Sequence, residues 1–215
     1  MKAYSYALSS LSAAAALALF VPRLSGEERP GPYFNAALGG SVAADTKLRE
    51  FPGATPGGKV KFEPGVALDI GGGFKFNEWL LVGGQTGFLI NGIKGSDADL
   101  TQWPILANVE LRFPNNSPLV PFIGGGPGIA FSTIHLDHDN INGGSNIDGS
   151  DSTAVFAWHA YGGIRYKINE SMSVGVSYKY FWAEKSEWEV DNSFQDIRFG
   201  ESHIHVISAN FSMGF

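Results

Sequence analysis

From Pro32 to the C-terminus, apolar and polar residues alternate with a period of two in one segment after another: 32–44, 64–76, 79–91, 102–113, 119–131, 154–168, 172–183 and 203–215. In 64–76 the residues Val66, Leu68, Ile70, Gly72, Phe74 and Phe76 share one face, and Gly65, Ala67, Asp69, Gly71, Gly73 and Lys75 the other. In 102–113, Trp103, Ile105, Ala107, Val109, Leu111 and Phe113 oppose Gln102, Pro104, Leu106, Asn108, Glu110 and Arg112. Phe156, Trp158, Ala160, Ile164 and Tyr166 likewise oppose His159, Tyr161, Gly163, Arg165 and Lys167. The last segment ends with Ile207, Ala209, Phe211, Met213 and Phe215 on one side and Ser208, Asn210, Ser212 and Gly214 on the other. A strand turns successive side chains to opposite faces, so this period predicts strands with one apolar face each.

The links alternate too. Asn77–Glu78, 114–117 and 169–171 are tight turns, whereas 45–63, 92–101, 132–153 and 183–202 are longer and polar. With an even strand count, all short turns and both ends of the repeat fall at one end of the sheet. All long loops fall at the other. This predicts an all-β fold, an antiparallel up-and-down barrel of eight strands.

Alternation does not say whether the apolar face meets a core or lipid, because a soluble barrel lines its interior with that face. Aromatic residues decide in favour of lipid. Trp79, Trp103, Phe113, Tyr178, Tyr180, Trp182 and Phe215 cluster near strand ends, as the interfacial girdles of a transmembrane barrel do. The polar face is rich in glycine and small residues, which suits a narrow interior filled by side chains. Arg165 and Lys179 on a lipid face would cost about 2–4 kcal/mol each at the midplane, so their face points inward. The open edges of such a sheet would be unsatisfied in hydrocarbon, which requires the strands to close.

Composition sharpens this picture in three places. A net charge of −6 argues against a nucleic-acid partner. The absence of cysteine removes thiol catalysis and disulfides. At the N-terminus, Lys2, the apolar run SAAAALALFV at 12–21 and small residues at Ser25 and Gly26 predict a signal peptide over 1–26. That run is too short for a membrane helix, which needs about 20 residues. Residues 27–215 are then the barrel domain.

The stretches PYFNAALGGS (32–41), LVPFIGGGPG (119–128), WHAYGGIRYKI (158–168), SVGVSYKYFW (173–182) and ANFSMGF (209–215) resemble the small eight-stranded outer-membrane barrels of bacteria, the group of the OmpA transmembrane domain, OmpX and the opacity-type surface proteins. The resemblance implies an outer-membrane location in a Gram-negative-type bacterium, with membrane lipid and lipopolysaccharide as surroundings. It also implies that Phe211, Met213 and Phe215 form the terminal signal read by the barrel-insertion machinery. Nothing here resembles OmpA's peptidoglycan-binding domain, so the resemblance does not imply cell-wall anchoring.

Candidate chemistry lies inside the barrel and at its loop end. Asp69, Gln85, Asn108, Glu110, Tyr161, Arg165, Lys179 and Asn210 point inward. They make either a polar channel or a charge-paired plug, and the narrowness of eight strands favours the plug. Its expected network is Asp69, Glu110, Arg165 and Lys179, while Lys75, Arg112 and Lys167 are expected to be solvated at the short-turn rim. His135, His138, His203 and His205 with Asp137 and Asp139 supply metal-ligand types, but a hydrophilic surface loop explains them more simply. The stretch DHDNINGGSNID at 137–148 lacks the glycine and glutamate of a calcium loop at its sixth and twelfth positions. Glu201, Ser202 and His203 carry the residue types of a barrel-shaped lipid A deacylase without a local motif around them. The glycine runs 71–73 and 124–126 lie within strands, with no helix behind them to bind phosphate.

These observations predict a monomeric protein without catalysis, cofactor or metal, whose role is structural or surface contact with a host or surface partner. The contact would run through the acidic loops, the last carrying Glu184, Glu187, Glu189, Asp191, Asp196 and Glu201 with Trp188, Phe194 and Phe199 interleaved. A narrow channel for small solutes is the alternative, and a lipid A-modifying enzyme a more distant one. Deleting Phe215, or making it charged, is expected to impair outer-membrane assembly. Heat-modifiable gel mobility and membrane level measure this, and wild-type values in the variant would contradict it.

Overall fold

The computed structural model describes residues 30–50, 59–95, 99–136, 149–188 and 197–215. The expected signal peptide, 1–26, lies outside them. The strands in chain order are β1 (Gly31–Ala43), β2 (Thr46–Glu50), β3 (Lys59–Val60), β4 (Gly65–Lys75), β5 (Leu80–Gly92), β6 (Asp99–Arg112), β7 (Leu119–Leu136), β8 (Gly149–Lys167), β9 (Met172–Ala183), β10 (Glu187–Trp188), β11 (Ile197–Phe199) and β12 (Ser202–Gly214). Eight of them close into an antiparallel barrel in the order β1-β12-β9-β8-β7-β6-β5-β4. The seam that closes it joins first and last strands, from Tyr33↔Gly214 to Ala43↔Ile204.

Each short turn is organised by an asparagine. Asn77 Oδ1 accepts the backbone N–H groups of Trp79 (3.0 Å) and Leu80 (2.8 Å). Asn169 Oδ1 does the same for Ser171 (2.9 Å) and Met172 (2.8 Å). Asn115 Oδ1 accepts from Ser117 N–H at 2.7 Å. A side chain that mimics the backbone in this way lets a strand reverse within few residues. Both barrel termini, Gly31 and Gly214, lie at this same end.

The loop end differs from the sequence expectation in two ways. Strands β7 and β8 continue past 131 and 154, pairing as far as Leu136↔Gly149. The polar residues Ser132, Thr133, Ser152 and Thr153 therefore belong to a ladder and not to a loop. Loop polarity hid this, because a hairpin standing beyond the membrane needs no apolar face. The links 45–63 and 183–202 also contain β2, β3, β10 and β11, which form a four-stranded sheet in the order β10-β11-β2-β3. Elements this short leave no readable period in a sequence.

Outward side chains in the belt are predominantly apolar, among them Phe34, Leu38, Leu68, Ile70, Phe88, Ile105, Val109, Ile123, Val174, Val176 and Ile207, all exposed. Two prolines interrupt ladders inside it. Pairing between β5 and β6 lapses between Thr86↔Ile105 and Leu89↔Gln102, around Pro104. Between β6 and β7 it lapses between Leu106↔Gly128 and Val109↔Gly125, around Pro127. Proline cannot donate to a ladder. At Pro104 the freed carbonyl accepts instead from Thr86 Oγ1 (2.9 Å), and Thr86 Oγ1 accepts from Trp103 Nε1 (2.8 Å).

The topology predicts where intact cells expose the chain. Added protease is expected to cut between β7 and β8 or between β9 and β12, and to spare 114–117 and 169–171. Fragment masses read the outcome, and cutting at the short turns in unbroken cells would invert the orientation.

Candidate functional site

The interior is built in layers, one inward residue of each strand at a time. Nearest the short turns, the Glu110 carboxylate receives a fork of two hydrogen bonds from Arg165, one from Nη1 to Oε1 and one from Nη2 to Oε2 at 2.9 Å. Arg112 Nε donates to Glu110 Oε1 at 3.0 Å. The Tyr161 hydroxyl lies 2.8 Å from Asn108 Oδ1 and 3.2 Å from Glu110 Oε2, two acceptors for one proton. Arg165 Nε donates to Asn210 Oδ1 at 3.1 Å, and its guanidinium lies 3.8 Å from the centroid of the Phe122 ring. Asn210 Nδ2 in turn reaches Ser177 Oγ at 3.2 Å.

At mid-height, Lys179 Nζ sits 2.6 Å from both carboxylate oxygens of Asp69. His159 is buried nearby with its ring centroid 5.3 Å from that of Tyr161. The four acids and bases expected as a network thus stand as two separate pairs, Glu110–Arg165 below and Asp69–Lys179 above.

Sequence reasoning misplaced two groups here. Lys75 and Arg112 are not solvated: Lys75 is 6% exposed, and Arg112 bonds to Glu110 and reaches Ser212 Oγ at 3.4 Å. A strand only two residues from its turn still points into a lumen that long side chains fill. The i, i+2 spacing of Glu110 and Arg112 on the inward face was the signal available. The polar face also changes character toward the loop end, where Ala43, Ala67, Leu89, Leu106, Ala130, Ala157, Phe181, Ala183, Ile204 and Val206 pack into an apolar layer. The inward Leu106, Phe181, Ile204 and Val206 break the alternation, and that break marks the layer in the sequence.

Inward glycines accommodate the large polar rings. A Cβ at Gly124 would collide with the Tyr161 ring, and one at Gly83 would lie 2.7 Å from the Tyr33 hydroxyl. Two cavities flank Arg165 and Phe122. One is a vestibule open at the short-turn end and lined by Lys75, Arg112 and Lys167. The other is a small gap beside Asp69, Gln85 and Lys179.

The remaining candidates fall apart geometrically. Ser202 Oγ accepts from Gln102 Nε2 (3.0 Å) inside the barrel, while His203 faces outward, where its Nδ1 lies 2.6 Å from the Tyr180 hydroxyl. Adjacent strand positions look to opposite sides of the wall, so Glu201, Ser202 and His203 do not assemble a nucleophile and its base. His138, Asp137, Asp139 and the stretch 137–148 lie outside the described residues, as do Glu189, Asp191, Phe194 and Asp196. Among the described residues no group of three metal-ligating side chains converges.

The lower network predicts unequal losses. Leaving a buried charge without its partner costs about 3–5 kcal/mol. Arg165→Ala leaves Glu110 with Arg112, whereas Glu110→Ala leaves the buried Arg165 without its carboxylate and beside the part-buried Arg112. Glu110→Ala is therefore expected to cost more than Arg165→Ala, and the double variant less than the sum of the two. Urea unfolding of the refolded barrel measures this, and additive losses would contradict the coupling.

Comparison with known proteins places this architecture. The fold is shared with Neisserial surface protein A at 17% identity and a TM-score of 0.60, over 89% of this chain and 100% of that one. It is shared with the outer membrane protein OprG from Pseudomonas aeruginosa at 14% identity and a TM-score of 0.55, over 86% and 97%. The outer membrane protein AlkL, at 14% identity and a TM-score of 0.50, aligns over 91% and 96%. No curated protein matches the chain by sequence. The outer membrane protein beta-barrel domain family matches residues 11–214. The chain belongs to that family, and its place is the outer membrane of a Gram-negative bacterium.

Proposed function

We propose that this chain is a closed outer-membrane protein whose barrel serves as an anchor and whose loop end makes surface contacts. The apolar layer beneath the loops carries this reading. Leu89, Phe181 and Val206 have no exposed surface at all, and Leu106 and Ile204 almost none. A continuous water path would have to pass between these side chains, where ions lose hydration without compensation. Below that layer the charges are paired, which suits a filled lumen better than a conducting one. At the other side of the layer, the β7–β8 hairpin stands about five residues beyond the aromatic rim, roughly 17 Å of strand. With the acidic segment 183–202, it offers the surface through which a partner would be met. Catalysis is no part of this proposal.

The second reading, a narrow channel for small solutes, draws on the two cavities on either side of Arg165 and Phe122. Conductance separates the two. The refolded chain in a planar lipid bilayer is expected to give no discrete current steps, and Phe181→Ala is expected to lower stability without producing them. Regular steps from the wild-type chain would overturn the closed barrel and favour the channel.

A further inference from the structure

The outer wall carries a polar cluster at the upper edge of its lipid-facing surface. On β12, Glu201, His203 and His205 follow one another at every second position on the outward side, continuing the row that begins at Phe215. The row reads Phe215, Met213, Phe211, Ala209, Ile207, then His205. From Phe215 to His205 is about 34 Å of strand. At the ~40° tilt of such barrels that is about 26 Å of height, the top edge of an apolar band about 25 Å tall. The histidines therefore stand where acyl chains give way to headgroups, in the leaflet on the loop side.

The neighbouring strands complete the cluster. The Tyr178 hydroxyl lies 2.6 Å from His205 Nδ1, and the Tyr180 hydroxyl 2.6 Å from His203 Nδ1. Trp182 Nε1 donates to Glu201 Oε2 at 3.4 Å, and His203 Nε2 lies 3.7 Å from the same oxygen. In the arrangement where each tyrosine donates to Nδ1, the imidazole proton sits on Nε2 and the histidine becomes an outward donor. Trp158 extends the platform: its ring stacks on Trp182 at 6.4 Å and tilts against Tyr180 at 5.4 Å. Directly below lie the most exposed aliphatic side chains of the wall: Ile207 (72%), Leu38 (64%) and Val176 (62%).

We propose that this face of β8, β9 and β12 is a seat for an acylated sugar, the headgroup chemistry of a glycolipid in the outer leaflet. Ring faces of Trp158, Tyr180 and Trp182 suit the apolar faces of sugar rings. Glu201 and the tyrosine oxygens accept from hydroxyls, and the histidine Nε2 groups donate to them. The acyl chains lie over Ile207, Val176 and Leu38. The cluster holds a carboxylate and no lysine or arginine, so sugar hydroxyls and not phosphates are the recognised groups. The inference rests on the outer-membrane location and not on whether the barrel conducts, and conductance does not read it.

The test uses the folded full chain in detergent, titrated with dephosphorylated lipid A and, separately, with phosphatidylglycerol, with bound lipid counted by native mass spectrometry. The wild type is expected to bind the dephosphorylated lipid A saturably, and His203→Ala/His205→Ala to bind it at least tenfold more weakly. Trp103→Ala, on the wall away from the cluster, is expected to bind as the wild type does. Both side chains of the double variant leave the outward face, so folding is checked by heat-modifiable mobility. Should the double variant not fold, Tyr180→Phe, which removes one hydroxyl, carries the same comparison with a smaller expected loss. Equal affinity of wild type and variant, an equal loss in Trp103→Ala, or phosphatidylglycerol binding as tightly as the sugar lipid would each overturn the proposal.

Discussion

Every backbone N–H and C=O in the hydrocarbon layer must find a partner within the protein, because lipid offers none. For strands, closure is the solution, and the β1–β12 seam completes it with a continuous ladder from Tyr33 to Ala43. The same constraint explains small details. Pro104 removes a donor from the middle of the wall, and Thr86 and Trp103 then satisfy each other and the freed carbonyl on the lipid side. A threonine and a tryptophan indole, both polar, can stand in an apolar belt because they use up their hydrogen-bonding capacity locally.

Closure at eight strands sets the next constraint, since a barrel of this size has room for side chains and little else. Polar residues that must point inward therefore have to satisfy one another. Glu110 takes bonds from Arg165 and Arg112, Asp69 from Lys179, and glycines at 83 and 124 leave room for the rings of Tyr33 and Tyr161. Nearer the loops Leu89, Leu106, Phe181, Ile204 and Val206 supply apolar contact, and polar groups among them pair locally, Ser41 with Asn91 and Gln102 with Ser202. Paired polar groups and apolar contact are two answers to the same shortage of space.

Strand number, direction and the inward or outward sense of each residue were legible in the sequence, because a period of two is a direct image of the pleat. The closed barrel followed from it together with the aromatic rims, and the outer-membrane setting from the resemblance to small bacterial barrels. Partners inside the lumen were less legible. Alternation says that Glu110 and Arg165 face inward, but not that Arg112, two residues from a turn, would turn back onto Glu110. The length of β7 and β8 was hidden for another reason. Past the lipid belt neither face needs to be apolar, so the ladder continues while its sequence signature stops. The four short strands of the loop sheet fall below any length at which a period can be read. In the outer wall, the alternation placed His203 and His205 outward, but only the cross-strand register brings them to Tyr180 and Tyr178.

The distribution of charge follows from the same economy of space. The chain is acidic, with a net charge of −6, yet Asp69 and Glu110 in its interior are faced by Arg112, Arg165 and Lys179. The sequence concentrates acidic residues between β9 and β12, where 183–202 holds Glu184, Glu187, Glu189, Asp191, Asp196 and Glu201. The choice of base within the lumen is also not arbitrary. Arg165 spends its fork on Glu110, its Nε on Asn210 and its flat face on Phe122, four contacts in directions that only a planar guanidinium offers at once. Lys179 faces a single carboxylate and meets both of its oxygens with one ammonium. A lysine at 165 would keep the charge but abandon Asn210 and the ring of Phe122. The lower layer is therefore specified by geometry as well as by sign, whereas the middle layer is specified mainly by sign.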